Sequence, residues 1–339
     1  MSEIAVIIPF YQRKAGILSR AINSVCAQRL APDDRIEIIV VDDASPLPAR
    51  EDLADCKMPP HVKLTLIEQE NGGPGAARNA GLRRVEAEGT TEYIAFLDSD
   101  DLWRPNHLSD AVSTLKLGYD FYFCENRRSG MFEAYAELVP CLRDSGAAIA
   151  DRAALLDAEG PVLGFPSNSL DDEFVCHPLC HTSSVVIRRD AAVAQRFDTD
   201  LRSAGEDWMY WLNLTFSGAR IAISWRINTE AGEGVNIFFN AFDWDLPATL
   251  DRIGCQLLFA EKLRQRVLKN AFQHKAASGI AWKYSRAYGF LLLRGLLFRR
   301  KPNFHLLRRV ARANPWFVPK IPYYFIAVAL DRNEKNKIW

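Results

Sequence analysis

The sequence predicts an α/β protein, a mostly parallel Rossmann-like sheet with helices on both faces, followed by a helical basic C-terminal region. Three observations carry this. Apolar runs of strand length alternate with helix-spaced apolar residues through the first 130 positions. Those runs are apolar on both faces, as strands covered on both sides must be. Beyond Pro247 the pattern turns helical and basic to the end.

Strands are expected at Ile4–Ile8, Ile36–Val41, Val62–Ile67, Tyr93–Leu97 and Phe121–Phe123. Between them, Ile17, Leu18, Ala21, Ile22 and Val25, and again Ala76, Ala77, Ala80 and Leu82, repeat with the helical period. Periodicity weakens from Cys141 to Cys180, where Gly160-Pro161 and Phe165-Pro166 signal turns and the chain reads as an insertion or variable region. Order returns with a strand at Thr182–Ile187, a helix from about Glu206 to Phe216 and a strand near Arg220–Ile227. The expected division is an α/β domain over residues 1–245 and a basic helical region over 246–339.

Lys and Arg number 42 against 42 Asp and Glu, yet from Asp251 to Trp339 there are 19 bases and four acids. Such a split between halves points to two jobs, one involving an anionic partner. The opening MSEIAVIIPF lacks the basic start and cleavage site of a signal peptide. No apolar run is long enough to span a bilayer. Seven scattered cysteines do not form a disulfide framework. The expectation is a cytoplasmic protein with reduced thiols.

Ligands of such sheets sit at the carboxyl ends of the strands, and acids cluster there. One strand runs into Asp42-Asp43-Ala44-Ser45 and another into Asp98-Ser99-Asp100-Asp101. Asp42 and Ser45 suit turn and helix capping. That accounts for one residue per cluster, and crowded carboxylates need something positive or rich in donors. Asp98-x-Asp100 suits Mg²⁺ or Mn²⁺, which takes one or two carboxylates and completes its shell with water and phosphate oxygens.

Four segments in this order then resemble glycosyltransferase family 2, of the GT-A fold: Ile7-Ile8-Pro9-Phe10-Tyr11, Val41 to Ser45, Asn71-Gly72-Gly73-Pro74-Gly75-Ala76-Ala77-Arg78-Asn79, and Phe96 to Asp101. The likeness is similar in style to bacterial exopolysaccharide enzymes, including succinoglycan-type glucosyltransferases. It implies a UDP-sugar donor, with Pro9 and Tyr11 lining the base pocket and Asp43 accepting from the uracil imide. It places Arg78 near the diphosphate or donor sugar, Asp98 with Ser99 at the ribose or sugar hydroxyls, and Asp100 as the direct metal ligand. The Gly72 to Gly75 turn is either a tight turn before the helix of Arg78 or a direct ligand contact; it is not a Walker or dinucleotide loop.

The pair Glu206-Asp207 opens a helix, where acids are favoured in any case. By the family match Asp207 is the general base of an inverting transfer and Glu206 holds the acceptor or the loop. No His lies between His181 and His274, so Glu233 or Asn236 is left to occupy the place of a late His found in relatives. The Gln-x-x-Arg-Trp signature of processive synthases is absent, which implies one addition per acceptor. Cys176-His177-Pro178-Leu179-Cys180-His181 invites a zinc reading, but Pro178 and the strand that follows make it hard for four ligands to face one point; the segment is expected to precede the acceptor site.

The basic tail mixes aromatic and aliphatic residues with Arg299-Arg300-Lys301. It fits an anionic membrane surface or a helical subdomain packed on the catalytic domain. The two are compatible, and for a membrane-facing tail the resemblance to exopolysaccharide enzymes implies an oligosaccharide acceptor on a lipid carrier, reached from the inner face of the cytoplasmic membrane. No nucleic-acid motif accompanies the charge. Two other functions compete. A sugar-phosphate nucleotidyltransferase would carry a Gly-rich basic loop after the first strand, where Pro9-Phe10-Tyr11-Gln12 stands. A non-catalytic binding or scaffold protein would tolerate the loss of Asp100 or Asp207, and both are present.

Overall fold

The computed structural model describes residues 2–128, 135–139, 142, 149–232, 244, 246–298 and 301–330. The chain forms two compact units, one of Met1–Thr199 with Tyr210–Phe239, the other of Asp200–Met209 with Asn240–Trp339.

In the first unit ten strands form one sheet: β1 Glu3–Phe10, β2 Arg35–Asp42, β3 Val62–Glu68, β4 Tyr93–Phe96, β5 Leu102–Trp103, β6 Phe121–Arg128, β7 Ala154–Asp157, β8 Val162–Phe165, β9 Val185–Arg188 and β10 Ile221–Ala231. Their order is β3-β2-β1-β4-β9-β6-β10-β8-β7, with β5 pairing β10. The first four are parallel, as are β6 and β10. Between β4 and β6 lies β9, antiparallel to both, and the β7–β8 hairpin completes the far edge. The mostly parallel sheet matches the expectation; the antiparallel strand at its centre is not legible in the periodicity.

The helices of this unit are α1 Ile17–Cys26, α2 Ala49–Leu53, α3 Pro74–Glu88, α4 His107–Leu115, α5 Tyr135–Leu138, α6 Asp171–Cys176, α7 Arg189–Val193 and most of α8 Glu206–Phe216. The five residues picked out by spacing in α1 are its buried face. Together with Leu108, Ala111, Val112 and Leu115 of α4, four of them (Leu18, Ala21, Ile22 and Val25) share one core with Ile4, Val6 and Ile8 of β1 and Ile36, Ile38 and Val40 of β2. On the opposite face α3 lies close against β1, because a Cβ at Gly81 would come within 2.5 Å of Ile7. That face is closed by rings: Phe96 meets Phe197, Tyr210 and Trp211 edge-on, and Trp211 stacks on Phe121 at 5.4 Å. Pairs in these geometries add to area burial by about 0.5–1.5 kcal/mol each.

The second unit contains the first turn of α8 and the helices α9 Pro247–Arg264, α10 Ala271–Leu297, α11 Phe304–Ala313 and α12 Ile321–Ala329. Asn270 and Asn303 cap α10 and α11 by accepting from Gln273 N at 2.8 Å and Leu306 N at 3.1 Å. Tyr288, Phe317 and Tyr324 stack in series at 5.6 and 5.8 Å. Asp200 accepts from Lys262 at 2.9 Å and Arg309 at 2.5 Å.

Candidate active site

The chain winds from β1 to β2 to β3 on one side and then crosses to β4 on the other, so β1 and β4 flank a topological switch point. Ligands of open α/β sheets bind in the crevice beyond the strand ends at such a point. Three turns meet there. Gln12, buried just beyond β1, donates from its backbone N to Ser45 Oγ at 2.7 Å, and that hydroxyl donates back to Gln12 O at 3.0 Å. Gln12 Nε2 donates to Ser99 Oγ at 2.9 Å. Pro9, near the end of β1, and Tyr11 beside Gln12 are both half-buried.

The two acids after β2 do different work. Asp42 accepts from Ser45 N at 2.8 Å and from Ala49 N at 2.7 Å, which is the capping role its residue type suggests. Asp43 accepts from Gln69 Nε2 at 2.7 Å, Gly72 N at 2.8 Å and Gly73 N at 2.7 Å, while its backbone carbonyl takes Asn71 Nδ2 at 2.7 Å. The Gly72–Gly73 segment is therefore a tight turn held by Asp43. Gly73 adopts a φ of 88°, where a side chain would be strained, and Pro74 follows at the first position of α3.

That turn delivers Arg78, one helical turn into α3 and only 4% exposed. Its guanidinium donates to Asp98 Oδ1 at 2.7 Å and lies 5.4 Å from the ring centre of Phe197. Asn79 fixes that ring: its Nδ2 donates to Phe197 O and its Oδ1 accepts from Phe197 N, both at 2.9 Å.

In the acid turn after β4, Asp98 N donates to Ser183 Oγ at 2.9 Å, and the Ser183 hydroxyl donates to Asp101 Oδ2 at 2.5 Å. The other Asp101 oxygen accepts from Gly232 N at 2.7 Å. His181 Nδ1 lies 3.5 Å from Asp101 Oδ2. Burial opposes ionisation of Asp98, but the charges of Arg78 and His181 and the Arg78 hydrogen bond outweigh it and hold the carboxyl below its ordinary value. Asp101 goes the other way: burial first, then repulsion from Asp98 and Asp100, push it up to about 6 against His181 and the Ser183 hydroxyl.

Asp98, Asp101 and His181 each offer one ligand atom, and these atoms lie within 4.8 Å of one another. Two carboxylates and an imidazole form a donor set suited to Mn²⁺ or a similar ion. Asp100 shares the turn and is half-buried, but it is not one of these three. Among the described residues the Cys176–His181 run makes no metal group of its own; His181 alone turns to the acids. Its participation is not readable locally, because its partners lie some eighty residues away in sequence. Nor is that of Gln12, Asn79, Ser183 and Gly232, whose contribution is hydrogen-bond geometry.

Glu206 and Asp207 open α8 and belong to the second unit. Asp207 Oδ1 accepts from Trp208 N at 2.7 Å, and Trp208 stacks on Phe259 at 4.4 Å rather than standing free. Trp103 is also a core residue, donating from Nε1 to Ser183 O at 2.6 Å. Glu233 and Asn236 lie outside the described residues.

Comparison with known proteins identifies the family and the fold. Residues 5–151 match the family model "Glycosyl transferase family 2". The chain is 30% identical over 319 residues, 91% of its length and 93% of the relative's, to the succinoglycan biosynthesis protein ExoW of Rhizobium meliloti (strain 1021). Its fold resembles that of S. aureus TarS 1-349, with a TM-score of 0.57 at 17% identity over 96% of this chain and 88% of that one. It also resembles the mannosyltransferase PcManGT of Pyrobaculum calidifontis, solved with GDP-Man and Mn²⁺, with a TM-score of 0.55 at 18% identity over 96% and 86% of the two chains. The sheet is that of the GT-A glycosyltransferases. Sharing 30% identity with ExoW along nearly the whole of both chains, the protein belongs to glycosyltransferase family 2 and is a glycosyltransferase.

Proposed function

We propose that the protein transfers a hexose, with glucose the first candidate, from a UDP-sugar to a growing oligosaccharide in exopolysaccharide assembly, with inversion at the anomeric carbon. The observation that carries this reading is the meeting of Arg78, Asp98 and Asp101, inside the segment that matches the family model, with His181, from beyond that segment, beside the β1–β4 switch point. A relative in succinoglycan biosynthesis supports the pathway class, and a TarS structure solved with UDP-GlcNAc supports the donor class.

In this reading Pro9 and Tyr11 line the base pocket, and Asp43 holds the Gly72–Gly73 turn while its remaining lone pair meets the uracil imide. Arg78 offers its fork of donors to the diphosphate or the donor sugar. Asp98 and Ser99 face the sugar hydroxyls. A divalent ion would be held by Asp100, by family match, and by Asp98, Asp101 and His181, by the convergence of their donor atoms. When bound, such an ion stabilises charge on the departing diphosphate. Asp207 takes the proton from the acceptor hydroxyl as its oxygen bonds to the anomeric carbon and the bond to the diphosphate breaks; Glu206 orients the acceptor. The acceptor is carried on a lipid at the inner face of the cytoplasmic membrane, with the second unit toward the bilayer.

The test is calorimetric binding of UDP to the full chain with and without Mn²⁺, and to Asp98→Ala and Asp100→Ala. Metal-dependent binding weakened by both substitutions is expected. Failure of folded wild-type protein to bind any nucleoside diphosphate would remove the donor site from this turn.

A further inference from the structure

We propose that the outer face of α11 and α12 is a docking surface for an anionic lipid bilayer. This rests on the membrane placement in the proposed function, but not on its donor chemistry. Of the fourteen large hydrophobic side chains that stand exposed among the described residues, nine fall between Leu296 and Leu330, so the exposure is concentrated rather than scattered.

The two helices present that exposure in an ordered way. In α11 the side chains of Leu306 and Val310 are buried, and the opposite stripe at four-residue spacing carries Phe304, 66% exposed, with Arg308 and Arg312, both exposed. In α12 only Tyr324 is buried, packed against α10 where it meets Gly289 and Trp282. A rotation of 100° per residue puts Ile326 about 160° and Leu330 about 120° from Tyr324, and they are 56% and 74% exposed; Tyr323, to one side and 55% exposed, has its ring 6.0 Å from Trp282. A surface helix ordinarily turns polar residues outward. This one turns tyrosine, isoleucine and leucine outward.

Charge decides what covers them. From Lys262 to Leu330 the chain contains no Asp or Glu and 15 Lys or Arg. A second copy would bring the same positive charge to the contact, and a nucleic acid would satisfy the bases but not the apolar stripe of α12. An anionic bilayer satisfies both at once: acidic headgroups meet the arginines, and the acyl boundary takes the aromatic and aliphatic side chains. No helix among the described residues is long and apolar enough to cross a membrane, so contact along the surface is the fitting mode.

The experiment is cosedimentation of the full chain with phosphatidylcholine vesicles, with and without phosphatidylglycerol. It compares wild type, the double variant Ile326→Ser/Leu330→Ser and the double variant Arg308→Glu/Arg312→Glu. Thermal midpoint and UDP binding are measured on each, and all four substituted positions are at the surface. Wild type is expected to bind the anionic vesicles and to bind neutral ones far less. Each double variant is expected to lower the partition coefficient by about tenfold or more, with UDP binding unchanged. Equal binding by all three proteins, no binding by wild type, or lipid-free self-association abolished by Ile326→Ser/Leu330→Ser would each overturn the proposal. Wild type that binds UDP but no vesicles condemns the docking face alone; wild type that binds anionic vesicles but no UDP condemns the donor reading alone.

Discussion

Asp43 is where the family-derived role and the observed contacts can be separated by one residue. Replacing it with alanine removes the acceptor for Gln69 Nε2, Gly72 N and Gly73 N, three bonds of 2.7–2.8 Å. Hydrogen bonds to a charged acceptor contribute about 1.5–3 kcal/mol each, so the gross loss is about 5–9 kcal/mol. Gln69 and both glycines are half-buried and regain part of their solvation from water. A net cost of about 3–5 kcal/mol follows. In a unit of this size that lowers the melting midpoint by about 6–20 °C. Asp43→Asn keeps one acceptor oxygen but sets its amide N–H₂ against a glycine N–H, so it should fall between wild type and alanine. The assay is the thermal midpoint together with hydrogen exchange across Gly72–Gly75, which should lose protection in both variants, and UDP affinity. If Asp43→Asn abolished UDP binding while midpoint and exchange stayed at wild-type values, the carboxylate would be a ligand contact and the turn-holding argument would fail.

Two further substitutions probe the acid turn and the second unit. A Cβ at Gly232 would come 2.3 Å from Asp100 O and 3.0 Å from Asp100 C. Gly232→Ala should therefore displace the turn at a cost of about 1–3 kcal/mol and reduce Mn²⁺-dependent UDP affinity about tenfold for each 1.4 kcal/mol felt at the site. Gly279→Ala, where a Cβ meets nothing within 4 Å, is the control and should leave affinity unchanged. In the second unit, burial tends to raise the pKa of Asp200, but Lys262, Arg309 and His305 outweigh it and hold it below its ordinary value. A depressed pKa stabilises the fold above the unfolded value and ceases to do so as pH falls through the folded one. Asp200 is more than a third exposed and solvent screens the pairs, so Asp200→Asn should cost only about 0.5–1 kcal/mol at neutral pH. That difference should vanish in acid; melting midpoints that differ equally at both pH values would contradict the assignment.

The parts of the fold set by local pattern were readable from sequence. Alternation of apolar runs with helix-spaced residues located β1 to β4, α1 and α3, because burial on both faces leaves a continuous apolar strand. β9 was expected as a strand, at Thr182–Ile187, but nothing within Val185–Arg188 says that it will enter between β4 and β6 in the opposite direction. The β7–β8 hairpin fell in a stretch where turn signals outweigh periodicity. The same division holds in the site. Asp98, Asp100 and Asp101 announce themselves as charges at a strand end. The bonds that fix them span 85 residues to Ser183 and 131 to Gly232, and Gln12 reaches Ser99 across 87. A serine, a glycine and a glutamine carry no signal by type, since their work exists only once distant strands have paired.

The electrostatics of the turn make the strongest physical case for a bound cation. Three acids, Asp98, Asp100 and Asp101, occupy four consecutive positions, and Arg78 brings one compensating guanidinium, directed at Asp98. Asp101 already accepts two hydrogen bonds, from the Ser183 hydroxyl and from Gly232 N, and such bonds favour the ionised form. Its pKa nevertheless stands at about 6, because burial and the neighbouring carboxylates outweigh those donors. Donors that stabilise an anion are thus built around a carboxyl whose ionisation is still opposed. Conserving energy alone would place a protonated or amide side chain there. The arrangement becomes self-consistent when a positive charge enters beside Asp98, Asp101 and His181: it lowers the Asp101 pKa and relieves the repulsion from Asp98 and Asp100. Under the proposed donor chemistry, a divalent ion carried with the diphosphate would supply that charge.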